Sequence, residues 1–270
     1  MLWRGIEIEP QWVVLALLVI ALAVGRGRQF VVDWTPFLLL FFAYEVMRGF
    51  AAKTGFPIHD VSPLERLLFA GALPTIWLQQ HSYDPSRISP WDWAAMVLYF
   101  LHFVVPVVVG FIFWMGDRAH YRRYVAALIG MSFAAFVTYL FWPSAPPWHE
   151  FPKQIVKIND QTIAKWGVDY YISPVYSRLN PNQFAAFPSL HAAFPALAAM
   201  YAWQRYRVLA LALVGWAAAV WLAIVYLGEH YFVDALAGLA YALAATLAVE
   251  YVTRRGRAEV PAATPPTPVS

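Results

Sequence analysis

Cysteine is absent from the 270-residue chain, which excludes disulfides, thiolate nucleophiles and cysteine-based metal sites. Charge is scarce: Asp, Glu, Lys and Arg make up 13% of the residues, about half the share of an ordinary globular domain. The formal net charge of +3 is too small to imply a nucleic-acid partner, and none is expected. A secretory signal is missing too. Glu7 and Glu9 precede the first apolar stretch, where a signal needs a basic start and a small-residue cleavage site, so Gln11 to Val24 reads as part of a retained span. No internal repeat is visible.

Apolar surface is plentiful. Hydrophobic residues make up 61% and aromatics 17%, and the few charges sit in short clusters between long apolar runs. In hydrocarbon every backbone N–H and C=O needs an internal partner, so such runs must be helices or the strands of a closed barrel. A barrel alternates apolar and polar residues in roughly ten-residue segments; the run from Val208 onward does not. The expected fold class is therefore all-α, a polytopic membrane helix bundle of six or seven spans. A span needs roughly 20 mostly apolar residues. The candidates are Ile6 to Val24, Trp34 to Phe50, Trp91 to Met115, Tyr124 to Trp142, Ser189 to Trp203, Val208 to Leu227 and Tyr231 to Val252. Leu64 to Gln80 is apolar but carries Glu65, Arg66 and Pro74, and reads as an interfacial or re-entrant helix. Residues 1–257 read as one membrane domain and 258–270, rich in Pro, Ala and Thr, as a disordered tail.

Four basic clusters set the orientation. Arg26 and Arg28 follow the first span; Arg118, Arg122 and Arg123 the third; Arg205 and Arg207 the fifth; and Arg254, Arg255 and Arg257 the seventh. With the spans above, all four fall on one side, which the positive-inside rule makes cytoplasmic. The opposite side receives Ala51 to Pro90, the long loop Pro143 to Pro188, and the turn Gly228-Glu229-His230. A multi-pass protein of the plasma (inner) membrane is expected, with its chemistry facing outside the cytoplasm.

That outer side holds two histidine motifs. In Phe187-Pro188-Ser189-Leu190-His191, Pro188 and Ser189 make a plausible helix start, and His191 then sits in the first turn, where free amides and the helix dipole attract an anion such as phosphate. In Glu229-His230-Tyr231-Phe232-Val233-Asp234, His230 and Asp234 are four apart and share a helix face. A carboxylate there can accept from one imidazole nitrogen and leave the other as nucleophile or base. Asp234 lies about one turn into an apolar span, where an ionisable group is expensive and usually functional. A lone interfacial histidine is more often a polar anchor, and the His230–Asp234 spacing also fits a simple capping pair. Their coincidence with Pro-Ser-x-His at the matching depth favours chemistry: phosphoryl transfer, with His230 as nucleophile and His191 as acid and base.

These residues resemble a known family. Pro188-Ser189-Leu190-His191 and His230-x-x-x-Asp234 resemble the second and third signature motifs of the type-2 phosphatidic acid phosphatase superfamily. FPSLHA (Phe187 to Ala192), HYFVDALAG (His230 to Gly238) and the proline-rich WPSAPPW (Trp142 to Trp148) are similar to the branch containing inositol phosphorylceramide synthase. The resemblance covers roughly Trp91 to Val252. It implies a six-helix core, no cofactor, no metal requirement, and catalysis by His191, His230 and Asp234. It also implies a phospholipid or isoprenoid phosphate substrate, with inositol or another alcohol as a further candidate partner and acceptor. The chain departs from the superfamily at three places. Leu190 stands where glycine is usual, Ala223 and Ile224 where the third motif opens with Ser-Arg, and the first motif's lysine and Arg-Pro are missing.

Replacement phosphate-binding groups are Arg48, three residues after Glu45 and near the outer end of its span, and Lys53 and Arg178 in outer loops; Ser189 is a further substrate-binding candidate. For each a structural alternative stands: a helix-packing ion pair for Arg48, a solvated charge for Lys53 and Arg178. His102, mid-span, reads first as a hydrogen-bonded interhelical histidine and second as a substrate-pocket residue. Trp142, Trp148, Trp166, Tyr170 and Tyr171 fit an interfacial aromatic belt or a headgroup pocket. Three rivals to the lipid-phosphate enzyme remain. They are a non-catalytic lipid transporter or scaffold on the same fold, a metal or haem protein ligated by the two histidines but without an obvious third ligand, and a Ser189 nucleophile that lacks the Gly-x-Ser-x-Gly elbow.

Overall fold

The computed structural model describes residues 10–51, 55–102, 104–166 and 182–258. Twelve helices are described: α1 Pro10–Ala23, α2 Gly27–Ala51, α3 Ser62–Leu68, α4 Pro74–Ser82, α5 Pro90–Leu101, α6 Val104–Gly116, α7 Arg118–Phe141, α8 Pro147–Glu150, α9 Ile158–Trp166, α10 Leu190–Trp203, α11 Arg207–Tyr226 and α12 Phe232–Ala258. Strand pairing among the described residues is confined to isolated parallel bridges, His59 with Ser144 and Ser144 with Ala185. The fold is an all-α membrane-type bundle. The tail from residue 259 lies outside the described residues.

Among the described residues three helices are long and apolar enough to cross a bilayer, namely Arg118–Phe141, Arg207–Tyr226 and Phe232–Gly256; α5 and α6, bent against each other, reach that length only when taken together as a broken span or a re-entrant pair. The expected continuous span Trp91 to Met115 is in fact broken between Leu101 and Val104, with the two axes 50° apart. Pro106 explains the break. It has no N–H to return to the carbonyl of His102, and its ring crowds that carbonyl. The α3–α4 pair replaces the segment read as interfacial, and neither helix is long enough to span.

At the centre stands α10, only 14 residues or about 21 Å long. It packs against α6, α7, α11 and α12. Its alanines at 192, 193, 196, 198, 199 and 202 are buried, so neighbouring backbones come close. Enclosed by other helices, it has no need to match the bilayer thickness. Gly238 shows how close the approach is: a Cβ there would sit 2.3 Å from the carbonyl oxygen of Ser189. Outward-facing Leu211, Leu222, Leu243 and Leu247 remain exposed, as lipid-facing side chains must.

The two ends of the bundle differ. At one end Arg118 pairs with Asp33, Arg205 with Asp117 and Arg123 with Glu250. Because α7 and α12 run in one direction each from end to end, the starts of α10 and α12 lie at the other. That other end carries a small ribbon. His59 N–H donates to Pro143 O (2.8 Å), Ala145 N–H to His59 O (3.2 Å), Ser144 N–H to Phe184 O (2.8 Å) and Ala186 N–H to Ser144 O (3.4 Å).

Candidate active site

Local sequence places each histidine. Ser189 caps α10 by accepting from the Ala192 N–H (3.4 Å), which puts His191 in the first turn. His230 follows a tight turn at Gly228, whose φ of +79° is the left-handed region. A Cβ at Gly228 would also meet Ile155 at 2.9 Å, so glycine is required twice over. The Ser189 N–H donates to the Asp234 carbonyl (3.0 Å), tying the two helix starts together. As a result His230 Nε2 lies 3.1 Å from His191 Nδ1.

The surroundings assign the protons. His230 Nδ1 lies 3.0 Å from the carbonyl of Ala186, which can only accept, so Nδ1 carries the hydrogen. In the neutral ring Nε2 is then the lone pair, and His191 Nδ1 donates to it. Asp234, fully buried, has Oδ2 at 3.5 Å from the same His230 Nδ1. The carboxylate read from sequence as the imidazole's acceptor therefore shares that nitrogen with a closer backbone carbonyl.

That carbonyl is itself held. The peptide joining Ala186 to Phe187 has its N–H 2.7 Å from Ser144 Oγ, while its C=O faces His230. Ser144 is wholly buried and sits in the proline-rich WPSAPPW segment. Carboxylates occupy the first amides of α12 in turn: Asp234 Oδ2 accepts from Tyr231 N–H (2.8 Å), and Glu65 in α3 accepts from Phe232 (3.0 Å) and Val233 (2.9 Å). Burial pushes the Glu65 carboxyl above its usual range, against the pull of those two amides. The amides of α12 are thus taken. Leu190 and His191, opening α10, have no earlier carbonyl of their own helix to bond.

Around the histidine pair lies a pocket whose walls include Tyr44, Tyr99, Tyr139, Trp148, Asn182 and Glu229. Tyr99 stacks on His191 with ring centroids 4.3 Å apart. His102 also lines the pocket, with its ring centroid 3.7 Å from that of His191 and its Nδ1 facing the Tyr99 carbonyl. Glu229 is held by the Asn159 amide at 3.1 Å. Among the described residues no group of three or more His, Asp or Glu is arranged to hold a metal ion.

A family model described as PAP2 superfamily matches residues 75–248, well over half of the chain. The chain belongs to the PAP2 superfamily. It is also 28% identical over 248 residues to the phosphoinositol dihydroceramide synthase of Bacteroides thetaiotaomicron, covering 80% of this chain and 77% of that protein. No solved structure matches it.

The PAP2 match spans His191, His230 and Asp234, and the bundle brings these three together. Ser189 is buried and turned to its helix end, outside the pocket lining. Lys53 and Arg178 lie outside the described residues, as do Tyr170 and Tyr171, and of Arg48 and Glu45 only the helical backbone is described. Of the belt aromatics, Trp148 lines the pocket, while Trp142 and Trp166 are exposed. Sequence reasoning passed over Glu65, Ser144, Asn182 and Glu229 as site residues. Glu65 carried a signal, a carboxylate in an otherwise apolar segment; the others carried none beyond their proximity to the motifs.

Proposed function

We propose that this PAP2 protein is a lipid phosphotransferase of inositol-phosphotransferase type that works through a phosphohistidine at the extracytoplasmic face. The family and the synthase relative support a lipid phosphatase or phosphotransferase. The finer reading rests on one observation: His230 presents Nε2 to His191 at 3.1 Å with its other nitrogen turned away onto Ala186 and Asp234. In the first step His230 Nε2 attacks phosphorus. The P–O bond to the lipid alcohol breaks, and His191, entering the step as the imidazolium, gives one proton to the departing oxygen and is left neutral. In the second step His191 takes the proton from an acceptor hydroxyl, whose oxygen attacks phosphorus. The P–N bond breaks and His230 is restored.

Water as acceptor makes the protein a phosphatase; an alcohol makes it a transferase. The likeness to a phosphoinositol dihydroceramide synthase, together with FPSLHA and HYFVDALAG, favours the alcohol. The arginine clusters gathered at the bundle end opposite the histidines support the outward orientation. The test is purified protein incubated with phospholipids and isoprenoid phosphates, with and without inositol, beside His230→Ala. A new phosphate ester of inositol supports transfer, and released phosphate alone supports hydrolysis. Unchanged turnover by His230→Ala ends the mechanism.

A further inference from the structure

Two buried hydrogen-bond donors in the pocket wall have no acceptor among the described residues. Asn182 is 3% exposed, and its Oδ1 accepts from the Phe184 N–H at 3.0 Å, which fixes which way the amide faces. Its Nδ2 is then the other end of the amide, is buried, and meets no acceptor among the described residues. Trp148 is held by its backbone N–H on the Gly228 carbonyl (3.2 Å) and by the Lys157 ammonium over its ring (4.8 Å). Its indole Nε1 is buried and likewise meets no acceptor among the described residues. Both residues line the same pocket as His191 and His230. Buried donors without acceptors are rare in native proteins, and each calls for a reason.

The reason lies in what the sequence lacks. Ala223 and Ile224, where the resembling motif opens with Ser-Arg, are apolar and buried, so no cation reaches the pocket from there. We infer that Asn182 Nδ2 and Trp148 Nε1 are substrate-binding donors that hold hydrogen-bond-accepting oxygens of the phosphorylated polar head, in place of such a cation. Neutral donors suit this pocket. Glu229 lines the same wall, and a carboxylate beside a fully charged phosphate monoester is repulsive, whereas it tolerates a singly charged diester and accepts from head-group hydroxyls. The donors thereby lean the site towards phosphodiester heads. The inference rests on the phosphoryl-transfer reading only for what fills the pocket.

Two shape-preserving substitutions test it in the full chain in detergent. Asn182→Asp keeps Oδ1 for the Phe184 amide but replaces the donor by an oxygen; Trp148→Phe keeps an aromatic ring, adds no charge and removes the N–H. Inorganic phosphate and myo-inositol serve as separate probes, each as an inhibitor of lipid turnover and as a calorimetric ligand. Asn182→Asp is expected to weaken a probe about tenfold or more and Trp148→Phe about threefold, with KM for the lipid rising more than kcat falls. Loss confined to phosphate assigns the donors to phosphoryl oxygens, and loss confined to myo-inositol assigns them to head-group hydroxyls. Unchanged probe affinity and lipid KM in both variants overturn the inference. If His230→Ala abolishes turnover while both variants behave as wild type, the inference falls and the mechanism stands. If His230→Ala stays active while both variants lose probe affinity, the mechanism falls and the binding site stands.

Discussion

The two ends of the bundle solve the same problem, holding helix termini together, with opposite means. At the arginine end two of the three pairs hold their arginines in water, the Arg118 and Arg205 side chains being 44% and 55% exposed, while Arg123–Glu250 is only partly exposed. At the histidine end the tying groups are buried. Glu65, Ser144, Ser189 and Asp234 are all 3% exposed or less, and each is bonded to backbone amides. Exposed pairs are screened and lose side-chain entropy, so they contribute little and tolerate change. Buried polar groups bonded to backbone are costly to disturb, and they fix geometry. An end that must hold two imidazoles in register has the second kind.

Substitutions at the two ends should therefore differ in size. The largest effect is expected at Asp234→Asn, which keeps the shape but offers an amide beside His230 Nδ1; turnover should fall at least about a hundredfold in a phosphate-release or lipid-product assay. Glu65→Ala should come next. It strips two amides of a buried acceptor and should lower stability by about 1–3 kcal/mol in thermal unfolding, with activity falling as α12 loses its anchor. Ser144→Ala leaves the Phe187 N–H unmet and frees the carbonyl facing His230. A drop in kcat of about tenfold is expected with lipid KM held, and Ser144→Thr should recover part of it. Arg205→Ala, at the far end, should change stability by less than about 1 kcal/mol and leave turnover intact. Should Arg205→Ala slow catalysis more than Ser144→Ala, the contrast between the ends is broken.

The smallest effect is one of pH. The His120 amide, with the Ala119 amide and Arg205 beside it, holds the Asp117 carboxyl below its usual value against the opposing effect of burial. A depressed carboxyl contributes stability above its unfolded value of 3.8 and loses it as pH falls through the lower folded one. The difference in melting temperature between wild type and Asp117→Asn should therefore be full at neutral pH and shrink below about pH 4.

Much of this was legible in the residues. Long apolar runs announced helices, and the boundaries of α10, α11 and the start of α12 fall within a residue of the expected ones. His191, His230 and Asp234 were visible through their short motif spacings, although His230 lies in the turn just before α12 and not on its face as expected. What was hidden acts across distance. Glu65 lies 167 residues from the Phe232 amide that it caps, and Ser144 lies 43 from the Phe187 amide it holds. No local spacing encodes such contacts. Pro106 was in plain view, yet a long apolar run outweighed it and hid the break before α6. The 14-residue length of α10 made sense only once its neighbours had enclosed it.

The missing side chain at Gly238 has a mechanical meaning. With its backbone lodged against the Ser189 carbonyl, α12 cannot slide along α10 by even one residue, a step of about 1.5 Å, without collision. The gap between the two imidazoles is thus gauged by main chain on main chain, the stiffest material a protein has. Enlarging position 238 to alanine would shift that gauge while leaving every ionisable group in the pocket chemically intact.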